Sequence, residues 1–384
     1  MGPLAGVRIV EMAGIGPAPF CGMLLAELGA EVLRVDRLTA AADLGIDVER
    51  RFDLPNRSKR AIAVDLKRPE GVALVSRLVG SADALIEGFR PGVMERLGLG
   101  PEPCLAANPR LVYGRMTGWG QEGPLSQRVG HDINYIAMAG ALDAIGPAEG
   151  GPLPPLNLVG DFGGGALYLA MGLLAGIIEA RGSGQGQVVD AAMVDGAASL
   201  MAMFHGFRQA GLWQAGRGAN VLDGGAPYYA TYRTSDGRYV AVGAIEKRFY
   251  AALLEGLGLE AAALPAQDDR SRWADLRQVF AATFATRTRD DWAAHFEGRD
   301  ACVSPVLTME ESLASPMARA RAMAAETDDV VGPAPAPRFT RTPGAVRHGP
   351  LDPRTDTYGA LRSWGVDEKT LAELARIGVI PAAA

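Results

Sequence analysis

Short apolar runs alternate with stretches of helical spacing through the first half of the chain. Val7 to Glu11, Ala30 to Asp36, Ala61 to Leu66, Ala82 to Glu87 and Leu111 to Met116 each read as a strand buried on both faces. Between the first two, Phe20 to Leu28 has helical spacing and Gly29 stops it. Later, apolar residues recur all round Gly163 to Ala180, which predicts a central, buried helix. Gln187 to Ala191 is a further strand and Met193 to Arg208 a further helix. The second half changes character. Tyr228 to Tyr232 and Arg238 to Ala244 read as strands joined by a Ser235-Asp236-Gly237 hairpin turn, and helical stretches follow through Phe296. Val303 to Leu307 is extended, Gly332 to Pro337 is a proline-rich return, and Asp367 to Ile377 is a last helix ended by Gly378.

This pattern predicts an α/β chain with a Rossmann-like large domain and an inserted smaller α+β domain. Residues 1–200 form the first part of the large domain, 201–223 a linker, 224–306 the small domain, 307–337 a returning linker and 338–384 the rest of the large domain. Leu38 to Leu54 has no clean period and reads as a mobile excursion near a ligand.

Composition narrows the classes. A length of 384 residues favours two cores over one. The net charge of −6 leaves no global basic footprint for nucleic acid. Cys21, Cys104 and Cys302 are far apart and odd in number, which suits buried reduced thiols in a cytoplasmic protein rather than disulfides. His131, His205, His295 and His348 show no metal-binding spacing, so no metal is expected. The start lacks a signal-peptide pattern, and the apolar run Gly165 to Ile178 is too short for a bilayer, so no membrane span is expected.

Charge at the strand ends is more specific. Arg37, Lys67 and Arg90 fall just past successive strands, and Arg96 follows Arg90. In an open parallel sheet that rim is where ligands bind, and several cations there suit a phosphate-rich one. Asp36 stands where a dinucleotide fold keeps its ribose-binding acid, but the loop reads GIGPAP without the third glycine, so a nicotinamide cofactor is not expected. Met193, Met201 and Met203 suit core filling or a soft apolar surface for varied acyl chains.

NRSKRAIAVDLK from Asn56, ALIEGFRPGVMERLGLG from Ala84, GRMTGWGQEGP from Gly114, GHDINY from Gly130, NLVGDFGGG from Asn157 and DGRYVAVGAIE from Asp236 resemble the α-methylacyl-CoA racemases of the family III CoA-transferase superfamily. The resemblance runs in order from Leu4 to about Pro337. It implies an interlocked homodimer whose sites combine one chain's large domain with the other's small domain. The catalytic pair falls on His131 and Asp161, and a glutamate supporting the histidine on Glu246. CoA contacts fall on Arg37, on Val64, Asp65, Leu66 and Lys67, on Gly88, Phe89 and Arg90, and on Arg96. They also fall on Gly130, Asp132, Ile133, Asn134 and Tyr135 around the histidine. No separate cofactor is implied, since CoA arrives as part of the acyl-CoA thioester substrate.

The chemistry these residues predict is 1,1-proton transfer through an enolate, interconverting (R)- and (S)-2-methylacyl-CoA. Asp161 stands ahead of the apolar helix on a glycine-rich turn, so N–H groups at that helix start, that of Asp161 among the candidates, are expected to hold the enolate oxygen. A plain helix cap is the simpler role for the same aspartate. The rival chemistry is CoA transfer, in which Asp161 alone carries the acyl group as a nucleophile.

Overall fold

The computed structural model describes residues 2–39, 48–214 and 216–382. Much of the excursion expected at Leu38 to Leu54 lies outside these residues. Two compact units divide the chain. One comprises Met1–Ala139, Leu156–Leu200 and Pro316–Ala384, and the other Gly140–Pro155 and Met201–Ser315. The second unit thus takes in the segment expected as a linker at 201–223, and residues 140–155 as well.

In the first unit six strands form one parallel sheet: β1 (Arg8–Met12), β2 (Glu31–Arg37), β3 (Arg60–Val64), β4 (Ala84–Glu87), β5 (Val112–Thr117) and β6 (Gln187–Ala192). Their order is β3-β2-β1-β4-β5-β6, with Val10 opposite both Leu33 of β2 and Leu85 of β4. Successive side chains of a strand face opposite ways, and each face has its own core. Ile9, Val32 and Ile86 pack on one side with Leu169 and Leu173; Val10, Leu33 and Leu85 pack on the other with Leu74, Leu78 and Leu361. The order in which the strands are added changes direction between β1 and β4. A crevice opens at the carboxyl ends on either side of such a switch point.

The intervening helices are α1 (Pro17–Glu27), α2 (Pro69–Val79), α3 (Val93–Arg96), α4 (Pro101–Ala107), α5 (Asp132–Met138), α6 (Leu167–Ser183) and α7 (Met193–Leu200). α1 starts three residues before the expected Phe20, with Pro17 preset for the first helical position. Leu158–Ala166, ahead of α6, is wound as a π-helix rather than as the start of an α-helix. The continuous helical stretch Leu158–Ser183 is 26 residues long with mean hydropathy 1.5, enough by length and composition to cross a bilayer, unlike the shorter run read from the sequence. Leu169, Leu173 and Ile177 of this helix pack on the sheet. The expectation of burial all round is corrected on the other face, where Leu167, Met171 and Ile178 are exposed.

The helix expected over Met193 to Arg208 is broken. α7 ends at Leu200, Met201 leaves helical geometry, and Ala202–Gln209 begins anew in the second unit. That unit holds a three-stranded antiparallel sheet of Tyr229–Arg233, Tyr239–Gly243 and Val303–Pro305 around an aromatic core with Phe280, Phe284 and Trp292. Gly237 supplies the positive φ the hairpin needs, at +79°. Of the cysteines, Cys21 and Cys104 are buried as expected, but Cys302 is exposed.

The chain then returns to the first unit. The helix Pro353–Ser363 lies against the edge strand β3. Asp356 Oδ2 accepts the Ala61 N–H at 2.8 Å and Thr357 Oγ1 accepts the Ala63 N–H at 2.9 Å, while Arg60 grips Asp356 with two nitrogens. These acceptors satisfy donors that an open sheet edge would leave unpaired.

Candidate active site

The crevice at the switch point is occupied by a cavity of about 610 Å³. Three strand ends reach it: β1 through Ile15 and Gly16, β4 through Gly88, Phe89 and Arg90, and β5 through Met116 to Trp119. Helix α5 contributes Asn134 and Tyr135, preceded by Gly130 and His131, and the π-helix contributes Asp161. The two residues singled out for proton transfer therefore line one cavity.

His131 is the N-cap residue of α5, with an extended backbone. Its own N–H donates to Asn134 Oδ1 at 3.0 Å, which fixes the entry to the helix and leaves the exposed imidazole outside the helical ladder. Tyr135, one turn on, donates its hydroxyl to the Gly130 carbonyl and packs edge-on against Trp119 with centroids 4.8 Å apart. The histidine is thus carried on a turn closed from both sides.

Asp161 is half-buried. Asn157 Nδ2, one turn earlier, donates to its Oδ2 at 3.0 Å. Burial pushes its carboxyl above the usual range; the Asn157 bond opposes this, and the nearby Asp132 carboxylate adds to it. Gly16 approaches the same oxygen: a methyl group there would stand 3.2 Å from Asp161 Oδ2, and φ of +68° already disfavours a side chain.

Asp132 is placed differently from the expectation of a CoA contact. It is buried, and its Oδ1 accepts the Asp161 N–H at 2.7 Å. Gly160 makes room for it, since a methyl group there would lie 2.4 Å from Asp132 Oδ1. The Asp161 amide offered as an enolate donor is therefore already engaged, which corrects the free helix start read from the glycine-rich run. Nor does the Asp161 carboxylate act as a helix cap; no side-chain cap closes the π-helix.

The remaining predicted contacts divide. Arg37 lines a neighbouring cavity of about 630 Å³ that shares Ile15, Gly88 and Phe89 with the first. Lys67 follows β3 at the same end of the sheet and is exposed; Arg96 closes α3 and is exposed, as is Ile133 on α5. Val64 ends β3 and is buried in the core, Leu66 packs against that core, and Asp65 accepts the Lys67 N–H at 3.0 Å. Glu246 belongs to the second unit, where it is exposed at the start of the helix Lys247–Leu257. Asp36, the would-be ribose acid, is taken by Arg34 at 2.6 Å.

Residues 4–357 match CoA-transferase family III. The chain belongs to that family. It is 46% identical over 374 residues to mouse alpha-methylacyl-CoA racemase, covering 97% of this chain and 96% of the relative. It is 45% identical over 344 residues to the human protein of the same name, covering 88% and 87%. Human succinyl-CoA:glutarate CoA-transferase is 29% identical, over 98% of this chain and 90% of its own length. Among solved structures, a CAIB/BAIF family protein from Brucella suis superposes with a TM-score of 0.81 at 26% identity, covering 94% of this chain and 99% of the other. The parallel sheet and its attached helices are thus the family's fold.

Sequence reasoning passed over Asn157 and Gly16. Asn157 had a visible signal, an amide four residues before a candidate carboxylate and so one turn away on a helix. Gly16 had none beyond its place in a glycine-containing turn, because its contact with Asp161 is made across 145 residues of chain.

Proposed function

We propose that the protein is a racemase of 2-methylacyl-CoA thioesters and that His131 and Asp161 exchange the α-proton between the two faces of the substrate. The observation that carries this is their presence in one cavity at the switch point of the sheet. The names of the relatives at 45–46% identity support the same reading.

A hydrogen α to a thioester is a weak acid, and its removal leaves an enolate. A positioned base contributes about 10²–10⁴-fold to such a step. His131 removes the proton of the (S)-isomer, and Asp161 in its protonated form, which its burial and Asp132 favour, returns one to the opposite face. For the (R)-isomer the roles exchange. The Asp161 amide serves the enolate oxygen only if Asp132 shares or releases it. The strand-end cations Arg37, Lys67, Arg90 and Arg96 meet the CoA phosphates, with the Gly88 to Arg90 turn beside the pantetheine arm.

Glu246 orients His131 from a partner chain in an interlocked homodimer. The exposed Leu167, Met171 and Ile178 of α6 are suited to such a partner, and a solution mass of one chain would remove this part of the reading. CoA transfer remains the second reading, since the family includes transferases and Asp161 alone would serve it.

The test is α-proton exchange in deuterated water with (R)- and (S)-2-methylacyl-CoA, with and without an added acid as acyl acceptor. Label should enter from either enantiomer, and His131→Ala or Asp161→Ala should reduce the rate at least about 10²-fold. Full activity in both variants, or CoA transfer to the acid without label, would overturn the proposal.

A further inference from the structure

Below the cavity, where β4 and β5 end, lies a charged network that the proton-transfer scheme does not use. Glu87 is the last residue of β4 and is fully buried. Its Oε2 accepts the Phe89 N–H at 2.7 Å, and its Oε1 accepts Arg115 Nε at 2.9 Å. Arg115, on β5 and also buried, reaches on through Nη1 to Glu95 Oε1 at 2.9 Å and through Nη2 to Glu95 Oε2 at 3.3 Å. One guanidinium thus ties together the end of β4, β5 and helix α3. Between these anchors runs the Gly88 to Gly92 turn.

We infer that Glu87, Arg115 and Glu95 act as a positioning clamp that sets this turn for the CoA moiety and keeps Arg90 and Arg96 available to its phosphates; the assignment of the moiety rests on the acyl-CoA reading above.

Three observations carry the inference. First, the clamp holds the backbone of a cavity-lining residue. Gly88, Phe89 and Arg90 all line the cavity, and the Phe89 N–H is the group Glu87 fixes. Second, the clamp disposes of the local acids. Glu87 and Glu95 are close in sequence to Arg90 and Arg96, and both are taken by Arg115. Among the described residues neither Arg90 nor Arg96 makes an ion pair, so both cations remain unneutralised. Third, the arrangement is costly to keep. Burial pushes the Glu87 carboxyl up to about 7 against the pull of the Phe89 amide and Arg115. A buried ion pair adds little stability over apolar filling of the same shape, so stability alone is a weak reason for this one. Arginine serves this place better than lysine, because only the planar fork spans two carboxylates and still donates from Nε.

The experiment compares the wild type with Glu87→Gln and Arg115→Lys. Affinity for free CoA is measured by calorimetry, kcat and KM are measured for exchange of 2-methylacyl-CoA, and thermal unfolding serves as the control for folding. Glutamine keeps one acceptor oxygen, so it cannot serve both the Phe89 amide and Arg115. Its CoA affinity should fall and its KM rise about tenfold, the size of one lost charge-assisted hydrogen bond, while kcat stays within about threefold. Lysine balances the Glu87 charge but cannot bridge to Glu95, so Arg115→Lys should show a smaller loss of the same kind. It decides the matter if Glu87→Gln does not fold. Folded variants that bind CoA within twofold of the wild type overturn the clamp, as does a fall in kcat with KM and CoA affinity unchanged. A wild type that binds CoA but exchanges no proton overturns the racemase reading and leaves the clamp standing on the binding data.

Discussion

Two populations of charge in the large unit behave in opposite ways. The buried population is fully committed. Lys59 donates to both oxygens of Glu11, at 2.7 and 2.8 Å, to the Pro19 carbonyl at 2.8 Å and to Asn56 at 3.2 Å. Arg115 is likewise consumed by Glu87 and Glu95. The open population is uncommitted: Arg37 and Arg90 border cavities, are exposed and make no ion pair among the described residues. The difference teaches that the first group builds the rim and the second uses it. Lys59 seats the first turn of α1, and that turn carries Gly16 against Asp161. A charge withdrawn from water cannot greet a ligand, and one left in water at a cavity mouth holds little of the fold together.

Breaking the buried side should have the largest effect. Lys59→Met leaves the Glu11 carboxylate buried without its partner, and removal of one member of such a pair costs about 3–5 kcal/mol. Denaturant unfolding should show that loss; a change under about 1 kcal/mol would mean the pair does not seat α1. Breaking the open side should leave the fold alone. Arg37→Ala and Arg90→Ala should each weaken CoA binding about tenfold at low salt and less at high salt, with an unchanged unfolding midpoint. An equal loss at all salt concentrations would argue against phosphate contacts.

The smallest effect sharpens the comparison, because Asp161 stands between the two populations. Burial raises its carboxyl pKa in the native state, so the folded protein binds a proton there that the unfolded chain has lost. Stability from this group is full below the ordinary carboxylate pKa and declines as pH rises through the raised value. Asp161→Asn should therefore raise the unfolding midpoint at pH 8 by about 1–3 °C and leave it unchanged near pH 4, while abolishing exchange. A lower midpoint at pH 8 would show that the carboxylate is stabilised by its surroundings instead.

The strands of the large unit were legible because each is an apolar run bounded by turn residues, and Arg37 and Arg90 were legible because they follow such runs. His131 and Asp161 were brought together by motif resemblance; spacing could not do it, since their meeting depends on how α5 and the π-helix pack. The π-winding itself escaped, because a shift from i−4 to i−5 bonding leaves no mark on a glycine-rich, apolar stretch. The Asp161 amide looked free because its acceptor, the Asp132 side chain, reaches it only through the packing of α5 against the π-helix. Helix α6 misled in another way: residues apolar all round imply burial all round only when every face is covered within the same chain, and Met171 and Ile178 stay exposed among the described residues.

The helix Pro353–Ser363, which hands Asp356 and Thr357 to the border of β3, is synthesised only after all six strands of the sheet. Until it docks, a growing polypeptide carries an exposed ribbon of amides able to recruit a stranger's strand. Its side chains act as a late bolt on that border. Shortening the protein ahead of residue 353 should therefore show itself first as clumping during expression, before any question of catalysis arises.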